Sequence, residues 1–222
     1  IGLLQAAVVA TGLGPRLSEI ILSVSDGSLL MTAGLAVVAA TLLGMGMPTP
    51  IAYLLLALFA APAMIAAGGP LLGTHLFLFY FAIKSGSTPP VALVAVVAAG
   101  IAQADWWRTA VTAFLHSLPG FIVAFMFLYS EPLLMQGGVV EILAAAVSAS
   151  IGVFAAAAGI QGWCGRWLGW AARIVLVAAA LSLISPGHVT DLAGIAVVAL
   201  VLLHARLTRS HSRDIAPTRR SD

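Results

Sequence analysis

Charged residues are scarce in this chain: they make up only 8% of its 222 residues, whereas 61% are apolar. Soluble domains carry about 25% charged residues, so the composition excludes an ordinary soluble domain and favours a membrane protein. Cysteine is scarcer still, and the single Cys164 excludes an internal disulfide and a cysteine-based metal cluster. The sequence also lacks a Ser-His-Asp, paired-carboxylate or phosphate-loop pattern. It therefore gives no basis for an enzyme.

Long apolar segments follow one another along the chain, and they predict an all-α, polytopic membrane protein with discontinuous or re-entrant helices. Several segments are too short to cross a bilayer, because about 12 helical residues span only half of the ~30 Å hydrocarbon core. The short helices are predicted at residues 29–43, 51–67, 71–83 and 91–102. Crossings are predicted at residues 120–129, 139–160, 167–184 and 192–207.

Two segments have a different pattern. Residues 1–22 are interrupted by T-G-L-G-P at residues 11–15, which predicts a re-entrant hairpin or its remnant. Residues 105–118 begin with Trp106 and Trp107, a pair that favours the headgroup level, so we expect an interfacial helix there. The alternative is that these residues form the first turns of a long, tilted span.

The chain contains two glycine- and proline-rich breaks: G-M-G-M-P-T-P at residues 44–50 and S-G-S-T-P-P at residues 85–90. Non-helical backbone survives at membrane depth only where protein buries it or where it lines an aqueous cavity. Paired breaks of this kind indicate the binding site of a secondary transporter. The alternative is that they are kinks or packing motifs, since Gly and Pro are common in membrane helices.

The breaks offer oxygen ligands and helix ends. Exposed carbonyls and the hydroxyls of Thr49, Ser85, Ser87 and Thr88 suit a bare Na⁺. Helices that restart at Pro50 or at Pro89-Pro90 would point their first amides into the cavity, which suits a carboxylate.

Among the ionisable residues, Lys84 is the only lysine and adjoins the second break. It either contacts an anionic substrate or cation site, or it snorkels to an interface, and both interpretations stay open. We expect His75 to be a hydrogen-bonded packing residue and Arg173 to snorkel toward the cytoplasm. The remaining histidines have no metal-ligand spacing; they are His116, His188, His204 and His211.

Basic residues predict the orientation. Five arginines lie between residues 206 and 220, so the polar tail from Thr208 onward is expected in the cytoplasm. Alternation then places Arg108 and Arg166 inside, and Glu131, Glu141 and Asp191 outside. The basic tail beside a span indicates a membrane surface, not a nucleic acid, as its partner.

Three segments resemble the large membrane subunit of tripartite ATP-independent periplasmic (TRAP) transporters, most closely the fused permeases of the TAXI branch. They are L-L-G-M-G-M-P-T-P-I-A-Y (residues 42–53), H-L-F-L-F-Y-F-A-I (75–83) and S-T-P-P-V-A-L (87–93). The likeness also includes T-G-L-G (11–14) and F-I-V-A-F-M-F-L-Y (121–129), and it is looser after residue 136.

The resemblance implies one repeat of an elevator-type Na⁺ symporter plus C-terminal helices, in a bacterial inner membrane. It implies uptake of a small organic anion, delivered by an extracytoplasmic binding protein, with no cofactor besides Na⁺ as coupling ion. The residues that match the family motif at the ion and substrate region are Gly44, Gly46, Thr49, Ser87, Thr88 and Pro89. Lys84 and Gly86 depart from that motif.

The organisation expected from this resemblance has four parts. They are a second-repeat region (1–104), an interfacial helix with a transmembrane helix (105–136), a three-helix extension (137–207) and a cytoplasmic tail (208–222). The chain starts at Ile1 inside an apolar run, so we expect the C-terminal portion of a longer permease. Such a portion would need the N-terminal part or a small membrane subunit to transport. Two alternatives are a structural membrane subunit and an intramembrane enzyme that uses Lys84 or His75.

Overall fold

The computed structural model describes residues 6, 10–164, 167–184 and 194–201. These ranges are helical, as predicted, and their only strand-like pairing is an isolated bridge between Trp163 and Trp167. We number the helices α1 (Leu13–Ser25), α2 (Leu29–Gly44), α3 (Thr49–Phe59), α4 (Ala61–Ala66), α5 (Leu71–Ser85), α6 (Leu93–Ala102), α7 (Trp106–Ser117), α8 (Pro119–Tyr129), α9 (Val139–Gln161) and α10 (Trp170–Ser182). A short 3₁₀ helix spans Glu131–Leu134, and residues 194–201 are also helical.

Most predicted segments are confirmed, with shifted ends. The segment predicted at residues 51–67 is wrong as a single helix, because α3 ends at Phe59 and α4 begins at Ala61. Pro62 lies in the first turn of α4, and proline cannot continue a helix without losing a hydrogen bond. In the first segment Gly12 has a φ of 62° and separates α1 from the helical residues before it. Most of that first arm, like the tail from Thr208 and residues 185–193, lies outside the described residues.

The first hydrophobic core is built by α2, α3, α4, α5 and α8. Small residues line one face of α2 at helical spacing, with Ala33, Ala36 and Ala40 fully or almost fully buried. These alanines allow close packing, because small side chains let helix backbones approach each other in a membrane. Phenylalanines fill the interface between α5 and α8, with Phe77 and Phe125 ring centroids 5.2 Å apart.

The α5 and α8 helices interlock through two glycines. Gly73 of α5 lies against the backbone carbonyl of Phe127, and Gly120 of α8 lies against the hydroxyl of Tyr80. A Cβ atom at either glycine would overlap its neighbour. At Gly73 the neighbour is backbone, so a glycine is required for this close approach, whereas the Tyr80 hydroxyl ends a flexible side chain that can shift.

A second core lies on the other face of α8, where it packs against α9 and α10. Arg173 ties the two later helices together: its Nε donates to the carbonyl of Gly159 (2.9 Å) and its Nη2 to that of Ile160 (2.8 Å). These bonds satisfy carbonyls at the C-terminal end of α9, which otherwise lack partners. Whether Arg173 also lies toward the cytoplasm stays a prediction.

Within the residues that the structure describes, two helical stretches are long and apolar enough to cross a bilayer, namely Trp106–Tyr129 and Val139–Gln161. The first combines α7 and α8, which join at Leu118 with helical dihedral angles (φ −54°, ψ −39°). This geometry fits the alternative of a long span for residues 105–118. The division of that span into an interfacial and a crossing part stays a prediction.

Candidate functional site

The first break has the boundaries that the sequence predicts. Helix α2 ends at Gly44 and α3 begins at Thr49, with Pro50 in its first turn. Between them Met45 and Pro48 are extended, and Gly46 has a φ of 76°. Glycine adopts this left-handed conformation without the steric cost that a side chain would add. The break is therefore a defined turn that separates two helices.

The second break is longer than predicted. Helix α5 continues to Ser85, and the prediction that the chain becomes helical again at Pro89-Pro90 is wrong, because α6 begins at Leu93. The residue before a proline is pushed out of the α region, so tandem prolines delay the restart. The amide of Ala92 closes the turn by donating to the carbonyl of Thr88 (3.2 Å), and Ala92 itself has a φ of 42°.

The two breaks touch each other where α2 and α5 end. The Oγ of Ser85 lies 3.2 Å from the carbonyl oxygen of Gly44 and 2.8 Å from that of Ala82. Ser85 is only 3% exposed, and a Cβ atom added to Gly44 would overlap both the Cβ and the Oγ of Ser85. A glycine at position 44 is thus required for this approach. The sequence predicts both residues as site candidates but gives no signal for their contact.

The hydroxyls of the second break converge on one backbone oxygen. The carbonyl of Lys84 accepts from the Oγ of Ser87 (3.0 Å), from the Oγ1 of Thr88 (2.8 Å) and from the amide of Ser87 (3.0 Å). A hydroxyl that donates its hydrogen keeps two lone pairs. Both hydroxyl oxygens can therefore still accept a cation, and Thr88, at 8% exposure, is largely shielded from solvent.

The remaining candidates lie around these contacts. Thr49 is half-buried at the start of α3, and no hydrogen bond links its hydroxyl to the rest of the described chain. Pro89 is half-buried in the second break, and Gly46 is exposed in the first. The structure thus brings Gly44 to Ser85 and joins Ser87 with Thr88, but it forms no hydrogen bond between Thr49 and the second break.

Lys84 contributes its backbone carbonyl, which accepts the hydrogen bonds described above, and a charged side chain. Its half-buried side chain extends along α5, where the Nζ lies 5.6 Å from the ring centroid of Tyr80. This is the geometry of a cation–π contact. Among the residues that the structure describes, no carboxylate forms an ion pair with this ammonium group. Substrate contact and snorkelling both stay predictions.

His75 is hydrogen-bonded, as predicted. Its Nδ1 lies 3.0 Å from the hydroxyl of Tyr53, which joins α5 to α3. Tyr53 also packs edge-on against Phe79, with ring centroids 5.5 Å apart. Sequence reasoning missed Tyr53, since nothing in the local pattern marks a partner 22 residues away. Across the described ranges no three His, Cys, Asp or Glu residues form a group that could hold a metal ion.

Comparison with known proteins gives one family. The model described as "Tripartite ATP-independent periplasmic transporter, DctM component" matches residues 1–142, which include both breaks and all helices from α1 to α8. No curated protein and no solved structure matches the chain.

Proposed function

Because the chain belongs to the family of the DctM component of tripartite ATP-independent periplasmic transporters, we propose that it forms part of a membrane permease for Na⁺-coupled uptake of a small organic anion. Membership in this family makes the chain a transporter component of the membrane. Beyond this membership we propose the coupling ion, the carboxylate class of the substrate and the elevator mechanism.

One observation carries the proposal: the two breaks meet through Ser85 and Gly44. Helices α2 and α5 pack against each other, and this packing brings the last residue of each helix, and with it both breaks, to one place in the fold. Half-length helices that meet at an interruption place polar backbone inside the bilayer, where it is tolerated if it lines a cavity or is buried in protein. Two interruptions at one place, with hydroxyl and carbonyl oxygens around them, support a binding site over kinks at unrelated positions.

The ion site that we propose uses hydroxyl and carbonyl oxygens. The hydroxyls of Ser87 and Thr88 donate hydrogen bonds to the carbonyl of Lys84 and keep lone pairs that can coordinate Na⁺. Thr49 supplies a third hydroxyl from the start of α3. Hard cations prefer such oxygen ligands.

For the anion we propose the amide of Thr49 at the start of α3 together with the ammonium of Lys84, since Pro50 has no amide hydrogen and the amides of Ile51 and Ala52 donate to the carbonyl of Pro48. The proposed partners are an extracytoplasmic binding protein and the N-terminal part or small membrane subunit of the permease. We also assign the chain to the TAXI branch, as the C-terminal portion of a fused permease, with its tail in the cytoplasm of a bacterial inner membrane.

The test measures uptake in proteoliposomes that contain the complete permease with its binding protein. Ser87→Ala combined with Thr88→Val removes both hydroxyls and keeps the shape of the buried Thr88 side chain. We expect normal insertion but a weaker dependence of uptake on Na⁺. Ser150→Ala is the matched control, because its hydroxyl also donates to a helix carbonyl, that of Ala146, far from the breaks.

Two results distinguish the proposed Na⁺ coupling from the proposed ion ligands. If a Na⁺ gradient does not change wild-type uptake of organic anions, the proposed Na⁺ coupling is wrong. If the wild type depends on Na⁺ and the double variant keeps the same dependence, the ion is bound elsewhere and the assignment of Ser87 and Thr88 fails.

A further inference from the structure

Helix α7 carries a polar stripe on an otherwise apolar span. The stripe lines an open surface groove of about 630 Å³, and all of its lining residues belong to α7 and the two residues before it. Residues three and four positions apart share one face of a helix, and this face carries Asp105, Arg108, Thr109, Thr112 and His116. Hydrocarbon cannot satisfy charged or hydrogen-bonding groups, so such a stripe lies where water or lipid headgroups can reach it.

Two opposite charges on the stripe are left open. Asp105 accepts from the amide of Arg108 through Oδ1 (2.8 Å), which caps the start of α7. Within the described ranges the other carboxylate oxygen and the Arg108 guanidinium make no hydrogen bond, and the two side chains form no ion pair. Both residues are exposed. A negative and a positive group thus stand one helical turn apart, the carboxylate with one oxygen uncommitted and the guanidinium without a partner in the described ranges.

The position of the stripe indicates the headgroup region. Trp106 and Trp107 adjoin the two charges, with ring centroids 5.6 Å apart, and they are 36% and 50% exposed. Exposed tryptophans prefer the boundary between headgroups and acyl chains. From Arg108 the stripe continues to His116, a distance of about 12 Å along the helix. It therefore reaches from the headgroups toward the ester region of a lipid.

We propose that this groove binds a phospholipid with a primary ammonium headgroup, such as phosphatidylethanolamine. Its phosphate accepts hydrogen bonds from Arg108 and its ammonium donates to Asp105, so that both open charges are paired. Thr112, an exposed residue one turn further along α7, would lie beside the ester groups.

Two other lipid classes fit less well. A phosphatidylglycerol headgroup pairs Arg108 but offers Asp105 only neutral hydroxyls, without the positive charge of an ammonium group. A choline headgroup is positive but has no N–H to donate to the carboxylate. The charge pattern therefore selects an aminophospholipid, and this selection does not depend on the proposed transport activity.

The experiment measures the lipid retained by the purified full chain after equilibration with vesicles, counted by native mass spectrometry. One vesicle set contains phosphatidylethanolamine and phosphatidylglycerol, and the other contains phosphatidylcholine and phosphatidylglycerol. We expect the wild type to prefer phosphatidylethanolamine over phosphatidylcholine by about twofold to fivefold, the range that an exposed ion pair contributes. Asp105→Asn should abolish this preference while keeping the helix cap, because asparagine caps as well as aspartate.

Arg108→Gln should reduce the retention of all three lipids, because each has a phosphate. The matched control is Arg16→Gln with Glu19→Gln, an exposed pair three residues apart on α1. It should leave the headgroup preference unchanged.

Three results would overturn the proposal. The wild type would show no preference between the two headgroups, or the α1 control would lose the preference as fully as Asp105→Asn. The third such result comes from a photoreactive residue placed at Ala113, which lines the groove. It would crosslink to a second copy or another subunit instead of to a lipid.

Discussion

Replacing Gly44 with alanine tests the contact between the two breaks directly. Gly44 is the last residue of α2 and has no positive φ, so alanine can adopt its backbone conformation. The new methyl group would overlap the Cβ and Oγ of Ser85 and would lie 3.8 Å from the Cβ of Ala52. The only penalty for this substitution is therefore steric.

The expected size follows from two opposing terms. Alanine is better than glycine in a helix by up to about 1 kcal/mol. Overpacking a core costs about 1–3 kcal/mol, and the upper part of that range applies because the Cβ of Ser85 cannot rotate away. We expect a net loss of about 2 kcal/mol, or a fall in Tm of about 4–8 °C for a chain of this size.

The assay is thermal unfolding in detergent, followed by circular dichroism. Gly34→Ala is the control, since Gly34 lies in the same helix with no atom near its added methyl group; its Tm should stay the same or rise. Ser85→Gly should rescue Gly44→Ala, whereas Ser85→Ala should not, because alanine keeps the overlapping Cβ. Equal stability of Gly44→Ala and Gly34→Ala, or equal rescue by both Ser85 variants, would refute the contact.

Three further predictions concern other parts of the chain. Tyr53→Phe removes the hydrogen bond to His75 and should lower the free energy of unfolding by about 0.5–1.5 kcal/mol, as measured by denaturant titration; an unchanged value would show that the bond adds nothing. Gly46→Ala should cost about 1–2 kcal/mol because of the positive φ, and Gly46→Asn clearly less, since asparagine tolerates that conformation; equal Tm losses would contradict the strain. A cysteine at Ser212 should react with an impermeant maleimide only after cells are opened, and labelling of intact spheroplasts would reverse the predicted orientation.

Local sequence chemistry predicted the first break almost completely. Proline fixes φ and favours the first helical turn, so Pro50 marks the start of α3 to within one residue. The same reasoning failed at Pro89, where the turn continues to Ala92 and closes on Thr88. Pro62 indicates the boundary between α3 and α4, but the continuous hydrophobicity of the segment favoured a single helix.

Long-range packing explains what could not be predicted. The contact of Gly44 with Ser85 joins residues 41 positions apart, and it depends on how α2 and α5 cross. Periodicity identifies which face of a helix is apolar, but not which neighbour it meets. The convergence of Ser87 and Thr88 on the carbonyl of Lys84 was also missed. It follows from the turn that ends α5, and composition alone does not specify the turn geometry.

The α8 helix divides its two faces between the two cores. Ala124 and Leu128 belong to the first core, while Ile122 and Met126 belong to the second. The close approach of Gly73 to the backbone carbonyl of Phe127 holds α5 tightly against α8. A rigid-body displacement of the broken helices would therefore either break the contacts of α5 with α8, or carry α8 along and disrupt the second core that α8 shares with α9 and α10. Helix α8 thus couples the broken helices to the two helices that follow it.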